Sequence, residues 1–115
     1  MPSPPLAPDD GPIDLEHLRR MTLGDAGLER EVLAMFSAQT VSLIDRLATL
    51  SPEAGALAHT LKGSARAIGA FGVADAADRL EAAIQKGDDS TAALAGLEDA
   101  VTEARAAIDA ILRRS

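Results

Sequence analysis

The 115-residue sequence contains no cysteine, tryptophan or tyrosine, and its only phenylalanines are Phe36 and Phe71. Without cysteine there can be no disulfide, no thiol nucleophile and no cysteine-ligated zinc site. A core with so few aromatic rings must be aliphatic, and the 47% of hydrophobic residues are enough to build one. Strand-favouring residues are sparse, whereas Ala, Leu, Glu and Arg, which favour helices, dominate. We therefore predict an all-α fold.

Basic residues are also in the minority, with 11 Lys and Arg against 18 Asp and Glu and a net charge of −7. An acidic surface repels phosphate, so a nucleic-acid partner is not expected. No apolar run approaches membrane-spanning length, and residues 1–12 lack the basic start and apolar run of a secretory signal. We expect a cytoplasmic protein with no membrane partner.

Most of the prolines, five of six, lie in residues 1–12, which we predict to be a flexible leader before one domain at 13–115. Apolar residues then recur at spacings of three and four, the helical period. The predicted helices cover residues 13–21, 26–50, 52–70, 73–86 and 90–113. Four long segments with short connections predict an up-down-up-down four-helix bundle, with an extra short N-terminal helix.

The apolar faces of these helices predict the core. On the second helix, the residues expected to face inward are Leu28, Val32, Met35, Phe36, Gln39, Leu43 and Leu47. On the third helix, they are Leu57, Leu61, Ala65 and Ile68. Ser51 and Pro52 are predicted to be the N-cap and first residue of the third helix, and Gly87 to end the fourth.

The third helix places one histidine outside the core. At about 100° per residue, His59 lies roughly opposite the apolar stripe of its helix. A glycine lies one turn to either side, at Gly55 and Gly63, and each costs about 0.5–1 kcal/mol relative to alanine in a helix interior. Both leave bare backbone around the imidazole, so a partner could approach closely. The case is stronger for Gly63, which lies well inside the helix.

The stretch of sequence around His59 is also free of acids. From Ala54 to Ala74 there is no Asp or Glu, and the only charged residues are Lys62 and Arg66. A phosphoryl group on His59 would have Lys62 close by as a counter-charge. From these residues alone, a functional histidine and an ordinary solvated helix face remain equally open.

Residues 59–70, HTLKGSARAIGA, resemble the signature of histidine phosphotransfer domains, in which the histidine is followed by x-Leu-Lys-Gly-Ser and a small residue. The resemblance extends over roughly residues 13–112. It implies that His59 is the phosphorylated residue, that Lys62 lies near the phosphoryl group, and that Gly63 gives a partner room to dock. Glu81 falls where some members have a group that bonds the imidazole Nδ1–H and presents Nε2. A solvated Glu81 is the alternative.

The resemblance further implies a carrier rather than an enzyme. Its partners would be response-regulator receivers, or the receiver of a hybrid histidine kinase, in a multistep phosphorelay. Mg²⁺ is expected on the receiver, and no cofactor or metal on this chain. The chain lacks an ATP-binding segment, and Thr60 follows His59 where kinase dimerisation helices usually have an acid, so kinase activity is not expected.

A docking face is predicted from the exposed side of the His59 helix and an apolar rim of Ile13, Leu15 and Leu18. Those three side chains could instead cap the end of the core. The other histidine, His17, is expected to be solvated, and the chain is expected to be a monomer. Two rivals remain: a helical adaptor in which His59 is incidental, and a degenerate family member that binds receivers without phosphotransfer.

Overall fold

The protein is described by a computed structural model that covers residues 11–114, so residues 1–10 of the predicted leader lie outside the described residues. Within this range the chain forms five α-helices and no strand. These are α1 (Leu15–Met21), α2 (Ala26–Leu47), α3 (Ala54–Ile68), α4 (Phe71–Lys86) and α5 (Thr91–Arg114). The predicted all-α class is confirmed. None of the helices in residues 11–114 has the length and apolar character needed to span a membrane.

The four long helices pack around an aliphatic core. α3 packs against α2 and α4, and α5 packs against the other side of both, while α1 lies on α3. Each long helix contributes a fully buried leucine to the centre: Leu47, Leu61, Leu80 and Leu97. The predicted inward residues of α3 are all buried. Burial of one face of α3 against two neighbours leaves its opposite face, which carries His59, toward solvent.

The predicted inward face of α2 is partly wrong. Its buried residues are Leu33, Phe36, Thr40, Leu43 and Leu47, which alternate spacings of three and four. Leu28 and Met35, both predicted to face inward, are 41% and 71% exposed. Val32 and Gln39 are half-buried at the edge of the core. Because α2 has apolar residues on more than one face, spacing alone admits two stripes, and packing against α3 and α5 selects one.

The connection from α2 to α3 also differs from the prediction. α2 ends at Leu47, three residues early, and α3 begins at Ala54. Ser51 is not the N-cap, because Glu53 takes that position directly before Ala54. The Ser51 carbonyl accepts a hydrogen bond from the Ala54 N–H at 2.9 Å and closes a turn. Pro52 occupies the second position of that turn, which its fixed φ suits, and is therefore not the first helical residue.

The fourth helix begins two residues earlier than predicted, at Phe71. The break before it is short because a single left-handed residue, Gly69, is enough to end α3. At the other end, Gly87 has φ of +73° and terminates α4, as predicted.

Gly69 joins three elements. It has φ of +87°, and the following Ala70 N–H donates to the Ala65 carbonyl at 2.8 Å, closing the end of α3. The Gly69 carbonyl accepts from the Asp14 N–H at 2.9 Å, which ties the start of α1 to this turn. A Cβ on Gly69 would lie 2.8 Å from the Asp14 carbonyl oxygen, closer than real Cβ contacts come. Only glycine therefore lets α1 lie against the end of α3.

We expect Gly69→Ala to destabilise the protein more than Gly87→Ala does. Both substitutions place alanine at positive φ, which costs about 1–3 kcal/mol. A Cβ on Gly87 would have no atom within 4 Å, so only Gly69→Ala adds a collision, with Asp14. Urea unfolding followed by circular dichroism measures both losses. Equal losses in the two variants would show that the contact with α1 contributes nothing.

Candidate functional site

His59 lies in the middle of α3 with its side chain 68% exposed. The preceding Leu57 and Ala58 and the following Leu61 are buried, so the helix is anchored in the core on the far side. Because the backbone around it is held rigidly, the imidazole is presented to solvent from a fixed helical position. The predicted exposure of His59 is confirmed.

Glu81 on α4 contacts the imidazole directly. Its Oε2 lies 3.0 Å from His59 Nδ1, and its Oε1 accepts a hydrogen bond from Lys62 Nζ at 2.8 Å. The Glu81 side chain is only 13% exposed. The pKa of Glu81 is lowered, chiefly by the Lys62 hydrogen bond and further by His59, against the opposing effect of burial. Glu81 is therefore a carboxylate at neutral pH.

The contact with Glu81 decides which imidazole nitrogen carries the proton. A carboxylate can only accept hydrogen bonds, so at 3.0 Å Nδ1 must be the donor. In the neutral ring, Nε2 then keeps its lone pair. Of the two alternatives for Glu81, the structure shows the contact with the imidazole Nδ1 and not a solvated side chain.

The stability that the Glu81 carboxylate provides, chiefly through Lys62 and further through His59, should depend on pH with a defined sign. Since the pKa of Glu81 lies below its ordinary 4.5 in the folded chain, the unfolded chain binds more protons in acid. The contribution is complete above that ordinary value and is lost as pH falls through the lower folded value. We expect the wild type to exceed Glu81→Gln in free energy of unfolding at about pH 6, and the difference to shrink toward about pH 3.

Urea titrations over that pH range measure the difference. Glu103→Gln is a matched control, because Glu103 is exposed on α5 and makes no ion pair with residues 11–114. A difference between wild type and Glu81→Gln that stayed constant with pH would contradict the assignment of an ionised, bonded Glu81.

Lys62 is held by two carboxylates from α4. Its ammonium group donates to Glu81 and to Asp78 Oδ1, at 2.8 and 3.1 Å, and its side chain is only 15% exposed. Both contacts raise its pKa, that of Glu81 most. The acid-free stretch of sequence is therefore not an acid-free surrounding in space. The window from Ala54 to Ala74 has no acids, but the neighbouring helix supplies them.

Arg66, the second predicted cation, lies one turn further along α3. It is exposed and makes no ion pair with any residue that the structure describes. Its position on the exposed side of the helix leaves its guanidinium available to an anionic partner. A role for Arg66 beside a phosphoryl group stays a prediction.

The two glycines near His59 differ in their surroundings. Gly63 is exposed, and a Cβ there would have no atom within 4 Å, so the surface above it is open. Gly55 is half-buried, and a Cβ there would meet Ile84 Cγ2 at 3.6 Å. The space beside Gly55 is thus partly filled by α4, whereas that beside Gly63 is open. That either glycine gives a partner room to dock stays a prediction.

An apolar groove runs between α2 and α3 on the other side of Gly63 from α4. We call it the α2–α3 groove. It has a volume of about 470 Å³ and is lined by Val32, Met35, Phe36, Gln39, Ser64, Ala67 and Ile68. Met35 stands at its rim. The exposed surface around His59 is therefore charged on the α4 side and apolar on the α2 side.

The family model of the Hpt domain matches residues 31–111, well over half of the chain. The chain belongs to the Hpt domain family. Hpt domains carry a phosphoryl group on a histidine in two-component phosphorelays and have no kinase activity of their own. The matched range contains His59, Lys62 and Glu81, and begins inside α2. Neither the curated proteins nor the solved structures include a significant match to the chain.

The apolar rim predicted for partner docking is not on the surface of this Hpt domain. Ile13 and Leu18 are 4% and 1% exposed and belong to the core, and Leu15 packs partly buried against it. The docking rim is wrong for Ile13 and Leu18, and the alternative, that they cap the end of the core, is confirmed, because α1 folds back on the end of α3 and turns these side chains inward. They attach α1 to the bundle.

The expectation of a solvated His17 is also wrong. Its Nε2 lies 3.2 Å from the Ala67 carbonyl, and its ring meets Phe71 edge-on with centroids 5.2 Å apart. Ala67 carries one of the last carbonyls of α3, which have no partner within the helix. His17 therefore holds α1 to α3.

Nowhere in residues 11–114 do three His, Asp or Glu side chains group in a way that could hold a metal ion.

Asp78 is the site residue that sequence reasoning missed. It lies three residues before Glu81, so both carboxylates share one face of α4. That spacing is visible in the sequence. What the sequence does not show is that this face of α4 lies beside Lys62.

Proposed function

We propose that this Hpt domain carries a phosphoryl group on His59 between the aspartates of response-regulator receivers, or from the receiver of a hybrid histidine kinase, in a multistep phosphorelay. The observation that carries the proposal is the 3.0 Å contact between His59 Nδ1 and Glu81 Oε2 on an otherwise exposed imidazole. It leaves Nε2 unprotonated and accessible. An incidental surface histidine has no need of a largely buried carboxylate that orients it.

We infer that the domain extends over residues 13–115 and that α2 to α5 form an up-down-up-down four-helix bundle with α1 added at one end. The packing of each long helix against its two neighbours supports this arrangement. We expect the domain to act as a cytoplasmic monomer, with His59 facing its partners one at a time.

The geometry supports transfer in one displacement. The lone pair of Nε2 attacks the phosphorus of a receiver aspartyl phosphate. The N–P bond forms as the bond from phosphorus to the aspartate oxygen breaks, and aspartate leaves as a carboxylate with that electron pair. No proton has to leave Nε2, because the proton is on Nδ1. The ring then carries a positive charge, which the Glu81 carboxylate compensates.

The remaining charge stabilisation is expected from the receiver. Its Mg²⁺ would neutralise the phosphoryl oxygens during transfer. The Hpt domain itself would contribute the nucleophile, its orientation by Glu81 and a positive neighbour in Lys62. The reverse reaction uses the same groups, so the carrier can both accept and donate the phosphoryl group.

We propose that the receiver docks over Gly63 and the α2–α3 groove. This side of His59 is apolar and open, whereas the α4 side is occupied by the paired charges of Lys62, Asp78 and Glu81. Burial of apolar surface drives association, and the flexible side chain of Met35 can adapt to a partner. The absence of a Cβ at Gly63 lets the receiver backbone approach the imidazole.

The test is phosphotransfer to the purified full chain from a panel of radiolabelled phospho-receivers. We expect label on the chain that is stable in alkali and lost in acid, as phosphohistidine is, and that returns to an unphosphorylated receiver when one is added. ATP without a receiver should give no label. A folded chain that takes no label from any receiver, yet binds them, would favour the degenerate family member; one that does not bind them would favour the adaptor.

A further inference from the structure

Asp78 has no part in the transfer described above, although it belongs to the same cluster. Its Oδ1 accepts from Lys62 Nζ at 3.1 Å, and its side chain is 56% exposed. Glu81, one turn later on α4, is 13% exposed and bonds the same ammonium group. Lys62 is thus shared between an inner carboxylate that orients His59 and an outer one that does not touch the imidazole.

The charges of this cluster do not balance. One ammonium group, Lys62, faces two carboxylates, Asp78 and Glu81, so the three side chains together carry one negative charge. A phosphoryl group on His59 would add about 1.5 to 2 further negative charges. Lys62 is the only lysine or arginine that the structure places in contact with these carboxylates among residues 11–114. Any attraction between Lys62 and Asp78 competes with the attraction of Lys62 for the phosphoryl group.

We propose that Asp78 is a positioning residue. It holds the Lys62 ammonium group against α4 and so limits how far Lys62 stabilises a phosphoryl group on His59. This rests on the proposed function. As a consequence, phosphohistidine has a higher free energy than it would have if Lys62 were not held by Asp78. The phosphoryl group therefore passes on to the next aspartate and does not accumulate on the carrier.

The first test compares Asp78→Asn with the wild type in the equilibrium of phosphotransfer with one receiver. Asparagine keeps the size of the side chain and removes its charge. We expect the equilibrium to shift about two- to fivefold toward phosphohistidine, the range that an exposed ion pair supports. Asp75→Asn is the matched control, because Asp75 is exposed on α4 and makes no ion pair with residues 11–114. Equal shifts in the two variants would overturn the proposal.

A second comparison tests whether Asp78 acts through Lys62. In a Lys62→Gln background, Asp78→Asn should change the equilibrium no more than Asp75→Asn does. If the full shift persists without the lysine, Asp78 acts directly on the phosphoryl group and the proposal fails. Circular dichroism of each variant checks that a merely structural change is not being measured.

The role of Asp78 can also be tested without any receiver. Phosphoramidate, a small phosphodonor, phosphorylates histidine directly, and the hydrolysis of the product can be followed by its acid-labile phosphate. We expect phosphohistidine to last about two- to fivefold longer in Asp78→Asn than in wild type or Asp75→Asn. Unchanged lifetimes would refute the role of Asp78. Failure of every receiver to transfer, with lifetimes that do change, would refute only the proposed function.

Discussion

Replacing His59 with glutamine is expected to abolish acceptance of a phosphoryl group from every receiver. Glutamine has no nucleophilic nitrogen, yet its amide can still donate to the Glu81 carboxylate. Because the His59 side chain is 68% exposed, stability should change by no more than about 0.5 kcal/mol. Transfer of radiolabelled phosphate from a phospho-receiver, with wild type and His59→Gln side by side, measures the loss.

His17→Gln is the natural control for this experiment, since His17 is the only other histidine of the sequence. It packs against Phe71 and the end of α3, so its loss should lower stability without removing the label. Acid-labile label that remained on His59→Gln at the wild-type level would exclude His59 as the acceptor, and with it the proposed function.

Replacing Gly63 with glutamine is expected to slow phosphotransfer while making the protein more stable. Glycine costs about 0.5–1 kcal/mol in a helix interior, and glutamine removes most of that cost. Apart from the adjacent backbone of α3 itself, no atom of residues 11–114 lies within 4 Å of the new Cβ, so nothing in this part of the domain opposes the substitution. The side chain would instead stand in the space that we assign to the receiver.

The transfer rate should fall about tenfold or more, because a loss of ~1.4 kcal/mol in docking free energy already corresponds to a factor of ten. Gly96→Gln is a matched control. Gly96 is also exposed within a helix, with nothing within 4 Å of a Cβ, but it lies on α5. Both variants should gain stability in urea unfolding, and only Gly63→Gln should lose transfer rate. Normal transfer by Gly63→Gln would place the receiver elsewhere.

These two substitutions concern the part of the site that can be predicted from the sequence. Local patterns are enough for His59 and Gly63, because both depend on the periodicity of one helix. The apolar stripe of α3 faces the core, and residues opposite to it must face solvent whatever the neighbouring helix is. Helix ends marked by a glycine in the left-handed conformation, such as Gly87, can also be predicted, because they depend only on neighbouring residues.

The errors have a common cause in packing between helices. Spacing predicts that Met35 and Leu28 are buried, but α2 has two apolar stripes, and only contact with α3 and α5 selects between them. For Ile13 and Leu18 the sequence leaves a docking rim and a cap on the core both open, and α1 buries them by folding onto the end of α3. Neither choice is encoded in the spacing of residues along one helix.

In this Hpt domain, a feature can be predicted from the sequence when the residues that produce it are close together along the chain, and only the tertiary structure decides it when they are far apart. Helix formation, the exposure of His59 and the bare backbone at Gly63 follow from interactions within a few residues, so the order of amino acids suffices to predict them. The charge state and orientation of the site depend on α4, whose Glu81 and Asp78 lie 22 and 16 residues from His59 and Lys62 along the chain. Only packing of α4 against α3 brings these carboxylates to the imidazole and the ammonium group, because burial of their shared apolar faces sets the register of the two helices.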